Sequence, residues 1–282
     1  MLLGFNLLLW STSVGDDLIP VLKELKETGY DGVEVPLFDG TPEDFAAFGQ
    51  AIRNEGLRAT AVTIMPDAAH DCTSTNPAVR DAAFDHLKWA LDCSQAVGAE
   101  VLAGPFHQPL GLFSGEPPTA DELANVAATH KRVVRYAQDL GVGLAVEPVN
   151  RFECYALTTV ADAAELVRAV DSRSYGFLYD TFHANIEEKD PVGVIGPNLA
   201  AISHVHLSEN DRGTPGKGHV PWEPTLKALK DGGYEGWCVI EAFGRALPAL
   251  AAATRVWRDL SPRREEVYRF GHDFLRETWA SQ

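Results

Sequence analysis

Four apolar runs in the second half of the chain each end in a side chain that can hold a cation. Leu144-Ala145-Val146 leads to Glu147, Phe177-Leu178-Tyr179 to Asp180, residues 201–205 to His206, and Cys238-Val239-Ile240 to Glu241. Pro148 supplies no backbone N–H, so the first of these runs stops at its acid. Three carboxylates and one imidazole form a donor set that suits Mn²⁺, Mg²⁺ or Co²⁺ better than a thiolate-preferring ion. Gathered without a cation, the acids would repel one another and resist ionising. A single strand-end acid can equally be a helix cap or an arginine partner. Four on consecutive runs point instead to a shared site. Glu153, six residues beyond Glu147, repeats the negative sign.

The elements that must position these groups alternate along the whole chain. Short apolar runs predict strands at 4–9, with Asn6 and Trp10 near the exit, and at 32–35, 57–64 and 100–103, followed by the four runs above. Amphipathic patterns between them predict helices from Asp16 or Asp17 to Thr28, from Thr41 toward Gly56, and over 76–97, 119–140, 159–170, 191–199 and 221–230. Capping residues open several of them, and Gly29, Gly98 and Gly141 close three. Residues 247–279 read as helical with a break at Ser261-Pro262. Eight βα units in 282 residues, with no linker between them, predict one (β/α)8 barrel domain over 1–282 with an extended C-terminal helical segment. An open doubly wound sheet is the alternative, but no GxGxxG follows the first strand. In a closed barrel the four strand ends share the C-terminal rim, where barrel active sites lie.

Composition narrows the function classes. With 24 Lys and Arg against 40 Asp and Glu, the net charge of −16 disfavours a nucleic-acid partner. The 4 cysteines are widely spaced without a CxxC pair, which argues against a zinc knuckle or disulfide scaffold and suits a reducing cytoplasm. No run approaches the roughly 18 apolar residues of a membrane span. The apolar stretch 2–10 lacks a basic region and a cleavage site and reads as a strand rather than a signal peptide.

Specific segments go further. FLYDTFHANIEE at 177–188 and HVHLSENDRGTPGKGHVPW at 204–222, with EPVNRFE at 147–153 and CVIEAF at 238–243, resemble the ketose 3-epimerases. These are the D-tagatose and D-allulose (psicose) 3-epimerases of the xylose-isomerase-like TIM-barrel superfamily. The resemblance is dense in the second half and rests in the first on element order and on VEVPLF at 33–38. It implies that Glu147, Asp180, His206 and Glu241 bind one divalent ion, usually Mn²⁺. It implies also that Glu153, His183 and Arg212 hold the O1 to O3 end of a free ketose, and that the chain forms a homodimer or homotetramer.

Epimerising C3 requires removing the proton α to the C2 carbonyl and returning one to the other face. A metal held by O2 and O3 would stabilise the cis-enediolate, while Glu147 and Glu241, from two different strands, alternate as base and acid. Arg212 offers paired donors where negative charge develops, His183 donates to the same end, and Glu153 accepts from a hydroxyl and orients His183. Trp10, Phe38, Phe106, Phe113 and Trp222 are candidates for an aromatic wall. His204 is expected to fill the barrel one layer below His206. Glu34 is expected to pair with a neighbouring loop, and Cys154 to be a packed thiol. The run 213–218 departs from a P-loop and reads as a turn presenting Arg212. His70, His107 and His219 receive no role. An aldose–ketose or hydroxypyruvate isomerase would use the same chemistry at C1 and C2. A zinc phosphodiesterase like the apurinic endonucleases is disfavoured by charge and by the small ligand set, and a non-catalytic sugar or metal sensor would bind without proton exchange.

Overall fold

Because each apolar run is flanked by a helix that returns the chain to the same end, the strands pair in parallel until the ring closes. The computed structural model describes residues 1–282 as a closed barrel in the order β1 to β8. The first half runs β1 (Leu2–Asn6), α1 (Ile19–Thr28), β2 (Gly32–Pro36), α2 (Pro42–Asn54), β3 (Arg58–Val62), α3 (Pro77–Val97), β4 (Ala99–Gly104) and α4 (Ala120–Leu140). The second half continues β5 (Gly143–Val146), α5 (Val160–Val170), β6 (Tyr175–Asp180), α6 (Thr181–Glu187), α7 (Ile195–Asn198), β7 (Ile202–Leu207), α8 (Trp222–Asp231), β8 (Trp237–Ile240), α9 (Pro248–Thr254) and α10 (Gly271–Ala280). The final strand pairs back on the first, Leu3 opposite Cys238 and Phe5 opposite Ile240. No helix is long and apolar enough to cross a membrane.

Local chemistry fixes the helix ends. Thr41, Thr119 and Thr159 each cap a helix and exchange hydrogen bonds with the acid three residues on, Asp44, Glu122 and Asp162. Gly29, Gly98 and Gly141 close α1, α3 and α4 in the left-handed conformation. One apolar core joins the strands to the inner faces of the helices, with Leu22, Leu87, Val126 and Leu226 among its fully buried members. At the end of the barrel opposite the acids, Arg58 pairs with Glu100 at 2.6 Å and Arg276 with Asp31 at 2.6 Å.

Three expectations change. The first strand is shorter, because the Asn6 side chain accepts from Leu8 N at 2.8 Å and winds Leu7–Leu9 into a 3-10 turn. The helix expected over 191–199 contracts to α7, because α6 starts directly on Asp180, which serves as its cap. The C-terminal segment is helical in α9 and again over 264–280, where the π turn Glu266–Phe270 runs into α10; the break expected at Ser261-Pro262 is there but spans 255–263.

Helices α2 and α3 meet at Gly49, where a Cβ would stand 2.3 Å from the Val97 carbonyl oxygen. Gly49→Ala should therefore force the helices apart, at a cost of about 1–3 kcal/mol. The expected outcome is a Tm several degrees lower by calorimetry.

Candidate active site

Asp180, His206 and Glu241 bring one ligand atom each to a common point. His206 Nδ1 lies 3.7 Å from Asp180 Oδ2 and 3.6 Å from Glu241 Oε1. Glu147, the first residue past β5, joins through a second group with Asp180 and His183, whose ligand atoms all lie within 4.8 Å of one another. Each donor is set by its own element. Asp180 caps α6 by accepting from Phe182 N at 2.6 Å through Oδ1, which leaves Oδ2 facing the other acids. His206 Nε2 lies 2.7 Å from Glu34 Oε1, whereas its Nδ1 is buried with no hydrogen-bond partner.

These observations fit a cation. Ligand atoms about one ion with bonds of roughly 2.0–2.2 Å stand about 3.0–3.5 Å apart, close to the separations around His206 Nδ1. Burial pushes the Glu147 carboxyl well above its usual range, and the charges of Asp180 and Glu241 add to the shift against the pull of His206 and Arg212. Burial raises Asp180 too, but His206, His183 and Arg212 outweigh it and hold this acid low. The cluster is short of positive charge, and an oxygen-preferring divalent ion would correct that. The neighbouring group of Glu34, His204 and His206 differs. Its contacts of 2.8 and 2.7 Å are hydrogen-bond lengths, too close for ligands spread around an ion.

Beside the acids stands a polar clamp. Arg212 adopts a left-handed backbone with φ of 66°. Its guanidinium is stacked between Phe182, 4.0 Å away, and Phe243, 4.9 Å away. Its Nη1 bonds Glu241 and lies 3.4 Å from Asp180, while Nη2 stands 3.0 Å from His183 Nε2. His183 Nδ1 accepts from the Asn150 backbone at 3.0 Å, while Nε2 faces the Arg212 guanidinium and lies 3.5 Å from Glu147. Burial, followed by the Arg212 charge, lowers the pKa of His183 against the pull of Asp180, Glu153 and Glu241. Glu153 accepts from Asn150 Nδ2 at 2.8 Å. Asn150, which the sequence did not single out, is therefore what orients His183, and Glu153 reaches that ring only through it.

The loop that carries Arg212 is tied to a buried acid that the sequence also left unremarked. Glu209 Oε1 accepts from Asn210 N at 3.0 Å and Val220 N at 3.1 Å, and Oε2 from Gly216 N at 2.8 Å and Trp222 Nε1 at 2.9 Å. Four donors on one carboxylate hold 209–222 in the turn that points Arg212 inward.

A cavity opens beside these groups. Glu147, Glu153, His183, Arg212 and Glu241 line it from the β5 to β8 side. Leu8, Phe38, Val62, Ile64 and Leu110 line it from the β1 to β4 side, and Leu250, Ala253 and Thr254 of α9 close over it. Phe38 alone of the five anticipated aromatics reaches it, with Phe243 supplying a face not foreseen. Trp10 packs instead on Phe5 and Tyr268, with ring centres 5.1 and 5.8 Å away. Phe106 is fully buried against His130, Trp222 is engaged with Glu209, and Phe113 stands 46% exposed.

Glu34 does not pair with a loop. It is fully buried inside the barrel, where it accepts from Asn6 at 2.9 Å and Thr60 at 3.2 Å and contacts both histidines. Burial would raise its carboxyl, but His206 and His204 outweigh that and hold it well below the usual range. His204 fills the barrel layer below His206. Burial pushes the Cys154 thiol up to about 12, as a packed thiol requires. His70 pairs with Asp67 on the surface, and the His219 backbone donates to Asn210. Buried His107 makes no hydrogen bond through either ring nitrogen.

Residues 22–278 match the profile of the family described as xylose isomerase-like TIM barrel. A protein of Synechocystis sp. bearing the name probable ketose 3-epimerase is 34% identical over 98% of this chain and 96% of its own. The ketose 3-epimerase of Arthrobacter globiformis is 34% identical over 91% of this chain and 89% of its own. Among solved structures, D-allulose 3-epimerase from Methylomonas sp. in complex with D-allulose superposes with a TM-score of 0.92 at 28% identity, covering 99% of this chain and 97% of that one.

Two measurements probe this geometry. Chelator-stripped protein should bind one Mn²⁺ per chain by calorimetric titration and gain in Tm, and Asp180→Asn should remove both effects. Glu209→Ala should free the 209–222 loop, so that trypsin cuts at Arg212 or Lys217 far faster than in the wild type.

Proposed function

From the premise that this chain belongs to the xylose isomerase-like TIM barrel family and, within it, to the ketose 3-epimerases, we propose that it interconverts free ketoses at C3 with the aid of one divalent ion. The observation that carries this reading is a pair of buried clusters joined at Asp180, one with Glu147 and His183 and one with Glu241 and the unpartnered His206 Nδ1, beside a cavity that also holds Arg212. Glu147, Asp180, His206 and Glu241 would hold the ion, with Mn²⁺ favoured and Co²⁺ or Mg²⁺ workable. When bound, the ion supplies a Lewis acid next to the ketose oxygens and so acidifies the C3 hydrogen.

The protein's own groups do the rest. Glu147 and Glu241 leave from β5 and β8 and flank the cavity from two sides, so one removes the C3 proton and the other returns a proton to the opposite face. Arg212, fixed between two rings, directs paired donors at the oxygen on which negative charge develops. His183 presents Nε2 to the same end, and Glu153, held by Asn150, accepts from a substrate hydroxyl. Arg212 is the only Lys or Arg among the lining residues, and the β1 to β4 side offers no cation to a phosphate. That favours unphosphorylated ketoses of the D-tagatose/D-sorbose and D-allulose/D-fructose kind. A homodimer or homotetramer is the expected assembly, and a reducing cytoplasm suits four buried free thiols.

With D-fructose or D-tagatose, Mn²⁺ and D₂O, the protein should yield the C3 epimer with deuterium at C3. Aldose as the sole product on chromatography would favour the isomerase alternative. Glu147→Gln and Glu241→Gln should each lower kcat by about 10²–10⁴, and near-native turnover in either would remove the two-acid scheme. Arg212→Lys should also slow turnover, since a point charge cannot replace a planar fork.

A further inference from the structure

Beneath the acids lies a closed polar network that the proposed chemistry does not use. Glu34 sits on β2 with no solvent exposure. Its Oε1 faces His206 Nε2 at 2.7 Å and accepts from Asn6 Nδ2 at 2.9 Å. Its Oε2 accepts from Thr60 at 3.2 Å and lies 2.8 Å from His204 Nε2. A carboxylate only accepts hydrogen bonds, so the His206 nitrogen facing it must carry a hydrogen. In a neutral ring the other nitrogen is then bare. That other nitrogen is Nδ1, buried, without a hydrogen-bond partner, and turned toward Asp180 and Glu241.

Asn6 locks the arrangement from the side. Its Oδ1 accepts from Leu8 N at 2.8 Å, which forces Nδ2 toward Glu34 at 2.9 Å and Glu241 at 3.5 Å. The amide therefore spans the supporting acid and an acid of the site itself. Neither end can turn without breaking a buried contact.

We propose that Glu34 is a positioning residue that fixes the tautomer and orientation of His206, so that Nδ1 is presented as a lone-pair donor to the divalent ion. The assignment rests on the reading above, in which His206 helps hold that ion. Metal-binding histidines are commonly steadied this way, through a carboxylate on the far ring nitrogen, and loss of such a partner weakens metal affinity by about 10–100-fold. Here the partner comes from the opposite half of the barrel, in the short segment VEVP of β2.

The test uses chelator-stripped full-length protein titrated calorimetrically with Mn²⁺. Glu34→Gln keeps the shape of the side chain and removes its charge, and should raise the Kd about 10-fold or more. Thr60→Val removes a donor to the same carboxylate without touching His206, and should leave the Kd within about twofold of wild type. A Glu34→Gln Kd equal to wild type, or an equal loss in Thr60→Val, overturns the assignment. Wild-type protein that binds no divalent ion overturns the reading of the site, and this inference with it. A measurement on unmutated protein covers the case in which Glu34→Gln does not fold. In the Mg²⁺-loaded wild type, long-range ¹H–¹⁵N spectra should show the His206 ring, identified by its loss in His206→Asn, protonated at Nε2 alone. Protonation at Nδ1 overturns the assignment.

Discussion

Three carboxylates cannot share one buried point unless positive charge meets them there, and much of this molecule is arranged to satisfy that condition. Glu147, Asp180 and Glu241 leave three strands of a single sheet, Glu147 and Glu241 each come within reach of Asp180, and each of the three is at most 6% exposed. Burial, with the charges of Asp180 and Glu241 added, holds the Glu147 carboxyl well above its usual range. The protein answers with Arg212, always charged and held over the acids between two aromatic rings. It leaves beside them an imidazole nitrogen with no hydrogen-bond partner, His206 Nδ1, where a cation could be bound. The supports behind these groups are themselves acids, Glu34 under His206 and Glu209 under the loop of Arg212, and each is saturated with donors. Buried charge is tolerated here because nearly every oxygen is occupied.

The closed barrel turns this local condition into a directional cavity. Polar groups come from β5 to β8, apolar ones from β1 to β4, and α9 covers the opening. A small polyhydroxylated ligand with one reactive end would be held tightly at that end and loosely along the other. On the proposed reading, differences among ketoses beyond C3 would fall to side chains such as Phe38, Ile64 and Leu250 rather than to the ion or the clamp.

How much of this was legible in the sequence depends on distance along the chain. The alternation of apolar runs and capped helices exposed the barrel, and capping boxes at Thr41, Thr119 and Thr159 set helix starts to within a residue. A common rim for 147, 180, 206 and 241 could be expected from the sequence because strand ends share a rim by topology. Glu34 could not be read in the same way. Its histidine partners lie 170 and more residues away across the barrel interior, and a lone acid in a strand carries no mark of them. Asn150 was hidden because its role is a backbone N–H and a side-chain amide, groups present in any loop. The aromatic wall failed for a related reason. Exits of early strands were assigned to the cavity by position, whereas Trp10 and Phe106 find better-packed neighbours in the core.

The central claim is that Glu147, Asp180, His206 and Glu241 grip a single divalent ion. It is tested most directly by a crystal of the Mn²⁺-loaded protein and an anomalous difference map at the manganese edge. The account predicts one strong peak per chain, within bonding distance of the three carboxylates and His206 Nδ1. A peak instead between Glu34, His204 and His206, or none in a preparation that turns over ketose, would contradict it.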